Sequence, residues 1–450
     1  MILSTEYILT RVDLISLFQQ SNQLLIRKLG AVLFSLVLMA CEQNQELSTK
    51  DNQLGFSKQS DKSNTQTASQ TASQTTSPYG FDSEFNYPSF SGKYPVATIE
   101  MTVTDNSRIE LFANKTINQN ATPRRFNIRF YYPSAESDLD NETVTVYLNK
   151  KNTNKLPVIS ETAWSNLIGP QTRKGKMLRY SNYENAFWDI ELNQKVSDRQ
   201  TDFPLLIFSH GYGYSPEAYS ALSAELASQG YIVISINHTF GANPTNLFGD
   251  QNETQWAKKL PTENIGQYLP IWSDDQIFVI EELYRLNTEI SSPFYGRLNL
   301  SQLGIFGHSY GGASAYLSAS RDPRIKAIMD IDGTLFEARN FEIYQPFAFL
   351  LSKKHSPIIN PVKFNNDAFL VKLTQFEHIS FTDHILWWQW DFDDSQLEMK
   401  LELGNINALE AVEITSKLVQ SFFDTYLLNQ QNWHLLTQEN STSIKSVKIN

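Results

Sequence analysis

A ten-residue stretch at positions 303–312, Leu-Gly-Ile-Phe-Gly-His-Ser-Tyr-Gly-Gly, constrains the fold more than any other part of the chain. Its apolar start predicts a strand, and the small residues at 313–315 suit a helix, so Ser309 falls on the turn between them. Such a turn needs flanking glycines because a Cβ there would collide with the neighbouring backbone. The pattern therefore predicts a strand–turn–helix unit that presents the Ser309 hydroxyl as a nucleophile. The N–H groups of the helix start would be available to an oxyanion.

Short apolar segments alternate with helical patterns along the rest of the chain. The predicted buried strands are residues 204–208, 231–236, 325–331, 346–351 and 369–373, and the predicted helices are 216–228, 270–287 and 408–423. Residues 97–104 and 125–132 are rich in β-branched and aromatic side chains, which predicts antiparallel edge strands. Apolar strands that alternate with helices indicate an α/β fold class, with a mostly parallel central sheet and helices on both faces.

A serine nucleophile needs a base, an acid that orients the base, and donors for the oxyanion. In the α/β-hydrolase topology the acid and the base follow the serine, each after a strand. The first strand after Ser309 ends in Asp330-Ile331-Asp332-Gly333. Strand alternation places Asp330 and Asp332 on the same face and cannot separate them, while the position at the strand exit favours Asp332.

Three histidines compete for the role of the base. His378 lies closest to the exit of the strand at 369–373, where the base is expected. His384 falls in the segment after it and is expected to be a surface or core residue. His355 follows the strand at 346–351 and is the third candidate.

Two backbone N–H groups are candidates for the oxyanion hole. Tyr310 follows the nucleophile directly, so its N–H is the first donor. The second should come from the loop after an earlier strand, Ser209-His210-Gly211-Tyr212-Gly213. Gly211 allows this backbone to turn its amides inward, which favours the N–H of Tyr212. His210 resembles a catalytic base, but a role in pinning the loop is expected.

Composition excludes several classes of protein. The 450 residues carry a formal charge of −11. This leaves no basic excess to neutralise phosphates, so no nucleic-acid partner is expected. The single cysteine, Cys41, excludes an intramolecular disulfide. The chain contains no CxxC or HExxH motif and no paired histidine cluster, so no metal and no cofactor are expected.

The first 81 residues have the pattern of an export signal followed by a tether. Arg27 and Lys28 precede an apolar run at 29–40 that is too short to span a bilayer but suits a signal-peptide core. The run ends Leu-Met-Ala-Cys, which resembles the lipobox of bacterial lipoproteins. That resemblance implies cleavage before Cys41, lipidation of Cys41, and a location in the cell envelope with the membrane as a partner. The long stretch before the apolar run suggests a translation start further downstream.

The expected domain organisation follows from these segments. Residues 1–40 are predicted to be a lipoprotein-type signal peptide, and 41–81 a disordered Ser/Thr/Gln-rich tether with too little apolar surface to fold. Residues 82–435 are predicted to form one catalytic domain, with 135–200 as an elaboration over the core. Residues 436–450 are predicted to be a flexible tail.

The motifs together resemble one family. Phe-Ser-His-Gly-Tyr-Gly at 208–213, Gly-His-Ser-Tyr-Gly-Gly at 307–312, the exit at Asp332 and His-Ile-Ser-Phe-Thr-Asp at 378–383 are similar to segments of the platelet-activating factor acetylhydrolases. Tyr-Tyr-Pro-Ser at 131–134 resembles an early segment of that family. The resemblance covers about 125–425 with gaps, and the His-x-x-Phe-x-Asp segment in its correct place is its most specific part.

The resemblance implies an α/β-hydrolase fold with Ser309 as nucleophile, Asp332 as acid and His378 as base. It implies Tyr212 and Tyr310 as the backbone oxyanion donors. The implied activity is calcium-independent hydrolysis of short or oxidised sn-2 acyl esters of phospholipids. The alternatives are another Ser-His-Asp hydrolase, such as a thioesterase, polyester hydrolase or peptidase, or a non-catalytic surface lipoprotein. The segments 135–200 and 239–270 depart from the family pattern, and substrate preference depends on such elaborations.

Overall fold

The computed structural model describes residues 88–112, 122–135, 190–192, 194–242, 245–246, 254–255, 257–258, 260–386, 403–430, 433 and 444–449. The predicted signal peptide, Cys41, the tether and most of the 135–200 elaboration lie outside these residues. One compact unit comprises Thr76–Lys258 and Gly266–Asn450, and the described architecture belongs to it.

Twelve strands and four α-helices lie within the described residues. The strands are β1 Val96–Ile109, β2 Pro123–Pro133, β3 Ile190–Leu192, β4 Phe203–Ser209, β5 Ile232–Asn237, β6 Thr245–Asn246, β7 Thr254–Gln255, β8 Leu298–His308, β9 Ala327–Ile331, β10 Phe347–Leu351, β11 Ala368–Leu373 and β12 Ile444–Lys448. The helices are α1 Ser220–Ser228, α2 Leu269–Thr288, α3 Tyr310–Arg321 and α4 Ala408–Leu428. Short 3₁₀ turns cover Pro216–Tyr219, Thr262–Tyr268, Phe336–Asn340 and His378–Phe381.

Ten of the strands form one sheet in the order β12-β11-β10-β9-β8-β4-β5-β2-β1-β3. The central six, from β11 to β5, run parallel to one another. Every residue of β4, β5, β9 and β10 is buried, which explains why these strands are predominantly apolar. The remaining pairs are antiparallel, except that β3 runs parallel to β1.

The helices form a layer on each face of the sheet. Helices α1 and α4 share one apolar cluster with the sheet side chains that point to their side, such as Phe208, Phe306 and Met329. Helices α2 and α3 pack against each other and contribute no residue to that cluster, so they cover the opposite face. The predicted fold class, a mostly parallel sheet between two helical layers, is confirmed.

Two sequence predictions need correction. The strands β1 and β2 are antiparallel as predicted, but they do not form the edge, because the short β3 adds beyond β1. The flexible tail predicted for 436–450 is wrong for Ile444–Lys448, which forms β12 at the other edge. Most of β12 is exposed, and its backbone bonds to β11 define it, so a hydrophobic pattern could not reveal it.

Within the described residues, no helix combines the length and apolar character that crossing a membrane requires.

Candidate active site

Ser309 occupies the turn between β8 and α3 with φ of 55° and ψ of −118°, which a residue with a side chain rarely adopts. The packing around it explains the glycines. A Cβ at Gly307 would lie 2.4 Å from the carbonyl carbon of Gly311, and one at Gly311 would lie 2.2 Å from the carbonyl oxygen of Ser209. The Ser309 N–H donates to the carbonyl of Ile331 at 2.7 Å. This bond ties the turn to the strand end that carries Asp332.

Asp332 and His378 are in direct contact. The Nδ1 atom of His378 lies 2.6 Å from Oδ2 of Asp332, and the Ser352 N–H donates to the other carboxylate oxygen at 2.6 Å. Burial alone would raise the pKa of Asp332, but its hydrogen bonds with His378 and the Ser352 N–H outweigh burial and hold the pKa below its usual range. An ionised Asp332 places the imidazole proton on Nδ1. It therefore leaves Nε2 of His378 as an acceptor.

The two partners differ in their access to solvent. The Asp332 side chain is 1% exposed and the His378 side chain is 43% exposed. The ring of His378 can thus meet a substrate while the carboxylate that orients it is shielded from water. This is the arrangement that a base and its orienting acid require.

Asp330, the other candidate acid, is fully buried beside Gly312 and Gly333. Its Oδ1 atom accepts the Gly333 N–H at 2.8 Å, and no described residue bonds its Oδ2 atom. Burial raises the pKa of this carboxyl well above its usual range, and the nearby charge of Asp332 adds to the effect. A neutral Asp330 cannot orient a histidine by charge, so the geometry favours Asp332 as the acid.

A capping box holds the segment that carries His378. The Glu377 N–H donates to the Ser380 hydroxyl at 2.9 Å, and the Glu377 carboxylate accepts the N–H of Ser380 in return. The Ser380 hydroxyl also donates to the Leu403 carbonyl at 2.8 Å. His378 is therefore the first residue of a fixed 3₁₀ turn just after β11.

The two competing histidines lie in different places. His355 approaches the same carboxylate from its other oxygen, with Nδ1 3.7 Å from Oδ1 of Asp332. His384 is buried, its ring packs edge-on against Tyr214, and its Nδ1 atom lies 3.1 Å from the Thr382 hydroxyl. His384 is thus a core residue, as expected, and His355 flanks the acid without displacing His378.

The loop after β4 carries the second expected oxyanion donor, the N–H of Tyr212. The Gly211 N–H donates to the Tyr219 hydroxyl at 3.1 Å, and the Gly213 N–H donates to the Gly241 carbonyl at 2.8 Å. The Tyr212 N–H between them bonds to no acceptor among the described residues, as expected of a donor that is available to an oxyanion.

His210 holds this loop in place. Its Nδ1 atom donates to the Gly211 carbonyl at 2.7 Å, and its Nε2 atom accepts the His238 N–H at 3.3 Å. His210 thus pins this loop, as predicted.

Sequence reasoning missed a series of hydrogen bonds that connects the loop after β4 with His378. The Tyr219 hydroxyl, which accepts from Gly211, lies 2.8 Å from Nδ1 of His308, and Nε2 of His308 lies 3.0 Å from the His378 carbonyl oxygen. The rings of His308 and His378 pack 4.5 Å apart. Burial lowers the pKa of His308 well below its usual value, so a neutral ring bridges the two halves of the site. The histidine before the nucleophile was the available signal, but its partners lie far away in sequence.

Asp383 explains the end of the His-x-x-Phe-x-Asp segment. Its carboxylate accepts the Ala221 N–H at 3.0 Å, at the first turn of α1, and its own N–H donates to the Ala218 carbonyl at 2.7 Å. A carboxylate at a helix N-terminus satisfies exposed donors and opposes the helix dipole. The segment therefore links the base to the helix that follows the oxyanion loop.

Within the described ranges, no group of three or more His, Cys, Asp or Glu side chains is arranged to hold a metal ion.

The buried histidines predict an acid-labile fold. Burial lowers the pKa of His238 to about 4 and that of His384 to about 3. Below pH 6.5 the unfolded chain takes up these protons before the folded chain does, so stability falls as the pH drops. Each ring should cost about 2 kcal/mol of unfolding free energy between pH 7.5 and pH 5. Urea unfolding at the two pH values tests this, and His384→Gln should weaken the dependence. Equal stability at both values would contradict it.

Known proteins with similar sequences are ester hydrolases. Residues 79–268 match the model of the family described as platelet-activating factor acetylhydrolase, isoform II. The chain is 26% identical to the platelet-activating factor acetylhydrolase of Cavia porcellus over 353 residues, which cover 69% of this chain and 75% of that protein. The enzyme of the same name from Bos taurus is 24% identical, over 72% of this chain and 78% of that protein. The chain is similar in sequence to the platelet-activating factor acetylhydrolases.

Two further similarities point to an ester hydrolase. A probable 1-alkyl-2-acetylglycerophosphocholine esterase from Arthroderma benhamiae is 27% identical over 133 residues, 30% of this chain and 32% of that protein. A ferulic acid esterase from Streptomyces cinnamoneus superposes with a TM-score of 0.59 at 19% identity, covering 82% of this chain and all of that one. This likeness supports the α/β-hydrolase fold. These similarities identify the chain as a carboxylic ester hydrolase.

Proposed function

We propose that the chain hydrolyses short or oxidised acyl esters at the sn-2 position of phospholipids, through an acyl-enzyme on Ser309. Asp332 is the acid, His378 is the base, and the N–H groups of Tyr212 and Tyr310 bind the oxyanion. The observation that carries the proposal is the 2.6 Å contact between His378 and the buried Asp332, beside a serine held on a strained turn.

The reaction proceeds in two steps. The Ser309 hydroxyl attacks the ester carbonyl while Nε2 of His378 accepts its proton, and the oxyanion that forms accepts the two N–H groups. The C–O bond to the glycerol then breaks, and His378 returns the proton to the departing oxygen. In the second step a water gives its proton to His378 and attacks the acyl-enzyme. This step releases the carboxylic acid and restores Ser309.

The acyl-chain preference rests on the family. The printed names of its relatives specify an acetyl group on a glycerophosphocholine. We infer the same preference here because the chain shares about three quarters of the length of these enzymes. The segments around 135–200 and 239–270 set this protein apart, so its preference for the length of the acyl chain is the property to measure first.

A panel of phosphatidylcholines with acetyl, butyryl and palmitoyl groups at sn-2 tests the proposal. We expect the acetyl ester to turn over roughly 100-fold faster than the palmitoyl ester, with Ser309→Ala as the blank for each substrate. Parallel assays with a thioester, an aliphatic polyester and a peptide cover the alternatives. A thioester, polyester or peptide that reacts faster than every phospholipid would contradict the phospholipid proposal.

We also propose that lipidated Cys41 anchors the enzyme in the cell envelope, next to phospholipid. The apolar run at 29–40, the lipobox-like end and the polar segment to residue 81 follow one another in the order that such an anchor requires. Esterase activity should sediment with membranes, and Cys41→Ser should release it. Sedimentation that Cys41→Ser leaves unchanged would contradict the anchor.

A further inference from the structure

Behind the oxyanion loop lies a second chain of serine, histidine and aspartate, closed to solvent. The Ser209 hydroxyl lies 2.9 Å from Nε2 of His238, and Nδ1 of His238 lies 2.8 Å from Oδ2 of Asp275. All three residues are 0% exposed. No substrate can reach this serine. This series of hydrogen bonds must therefore act through the residues that pack against it. Ser209 is the last residue of β4, directly before the loop that carries Tyr212.

Buried charges fix the direction of every bond in this chain. Arg124 donates to both Asp275 oxygens, at 3.1 and 2.6 Å, and Arg108 donates to Oδ1 at 2.8 Å. Asp275 thus stays ionised and accepts the proton on Nδ1 of His238. The Nε2 atom of His238 can then only accept, so it receives the Ser209 hydroxyl proton. Gln276 donates to the same hydroxyl oxygen at 2.7 Å. The His238 ring is locked in one orientation.

Trp272 lies flat on this locked ring and reaches both oxyanion residues. Its ring is 4.0 Å from that of His238 at an interplanar angle of 8°. It also lies 5.9 Å from the Tyr212 ring at 21°, and 4.9 Å from the Tyr310 ring at 87°. A Cβ at Gly241 would lie 2.4 Å from Cζ2 of Trp272, so the backbone closes tightly over the indole. One buried side chain thus contacts the side chains of both expected oxyanion donors.

We propose that Trp272, seated on His238, is a positioning residue that sets the distance between the N–H groups of Tyr212 and Tyr310. An oxyanion hole works only when its donors lie about 2.7–3.1 Å from the developing charge. The two donors belong to different elements, the loop after β4 and the start of α3, and Trp272 comes from a third, α2. The inference rests on the proposed function, because it assigns Trp272 a role in the same site.

Trp272→Leu tests the proposal because it keeps an apolar side chain but removes the flat surface. We expect kcat for p-nitrophenyl acetate to fall roughly 100-fold while KM changes little, since the hole acts on the transition state. The rate of Ser309 labelling by a fluorophosphonate should fall by a similar factor, and the final amount of label per chain should stay the same. Inhibition by a trifluoromethyl ketone, whose adduct carries an oxyanion, should weaken in parallel.

Trp433→Leu is the matched control. Trp433 is buried, as Trp272 is, but it packs on Phe369 and Phe422. Its loss should lower stability and leave the rate per labelled serine unchanged. Trp272→Phe, which retains a flat ring, guards against misfolding of the leucine variant and should lose less than Trp272→Leu.

Each outcome bears on one claim. Wild-type rates per labelled serine in both Trp272 variants would overturn the positioning role, as would a loss confined to KM. A wild-type protein that does not react at Ser309 would instead contradict the proposed function.

Discussion

Ser309→Ala should lower kcat for p-nitrophenyl acetate by about 10⁵- to 10⁶-fold, the loss that removing a serine nucleophile causes in related mechanisms. Alanine retains the Cβ, so the strained turn at φ of 55° should persist and the fold should remain intact. The oxyanion hole and the binding surface would stay in place and supply only residual catalysis. Steady-state kinetics with purified protein provide the measurement.

Ser320→Ala is the control for this variant. Ser320 lies on the same helix as the nucleophile's neighbours, and its hydroxyl donates to the Leu317 carbonyl at 2.7 Å. We expect an unchanged rate, because removing this bond alters no group near the turn. Substantial hydrolysis by Ser309→Ala at an unchanged fold would contradict the nucleophile assignment.

Asp332→Asn should lower kcat by roughly 10⁴-fold with little change in KM. The asparagine oxygen can keep the Ser352 N–H bond, which places its NH₂ group against Nδ1 of His378. Nδ1 of His378 must then accept a hydrogen bond from this NH₂ group, so the ring proton moves to Nε2. His378 can then no longer take the Ser309 proton. The opposite orientation would bring two N–H donors together in a buried site, at a cost of about 1–3 kcal/mol. A pH–rate profile measures the loss of activity, and thermal unfolding checks that the variant is folded.

Asp330→Asn separates the two candidate acids. Asp330 holds its Gly333 bond with one oxygen, and burial keeps its pKa high, so a neutral amide is a close substitute. We expect its kcat to stay within roughly tenfold of the wild type, because no charge on this side chain orients the base. If Asp330→Asn loses activity and Asp332→Asn retains it, the assignment of the acid is wrong.

The local features of the site could be predicted from the sequence. The glycines around Ser309 have a steric cause within a few residues, so their pattern was enough to predict the turn. Buried parallel strands are predominantly apolar, which is why β4, β5, β9 and β10 could be located within a residue or two.

Features that depend on distant contacts could not be predicted in the same way. Strand alternation left Asp330 and Asp332 equivalent, and only the contact with His378 distinguishes them. Trp272 lies on a helix whose apolar face is required for packing in any case, so nothing in its spacing marks it as a neighbour of both oxyanion residues. The series of hydrogen bonds through Tyr219 and His308 likewise joins residues that are 89 positions apart.

The measurement that tests the nucleophile most directly is mass mapping of a fluorophosphonate adduct after digestion of the labelled protein. A serine activated by a base and an oxyanion hole reacts with this probe, whereas an ordinary surface serine does not. We predict one adduct per chain, on Ser309, that is absent in Ser309→Ala and forms more slowly in Asp332→Asn. An adduct on a different serine, or esterase activity without any adduct on Ser309, would contradict the proposed mechanism.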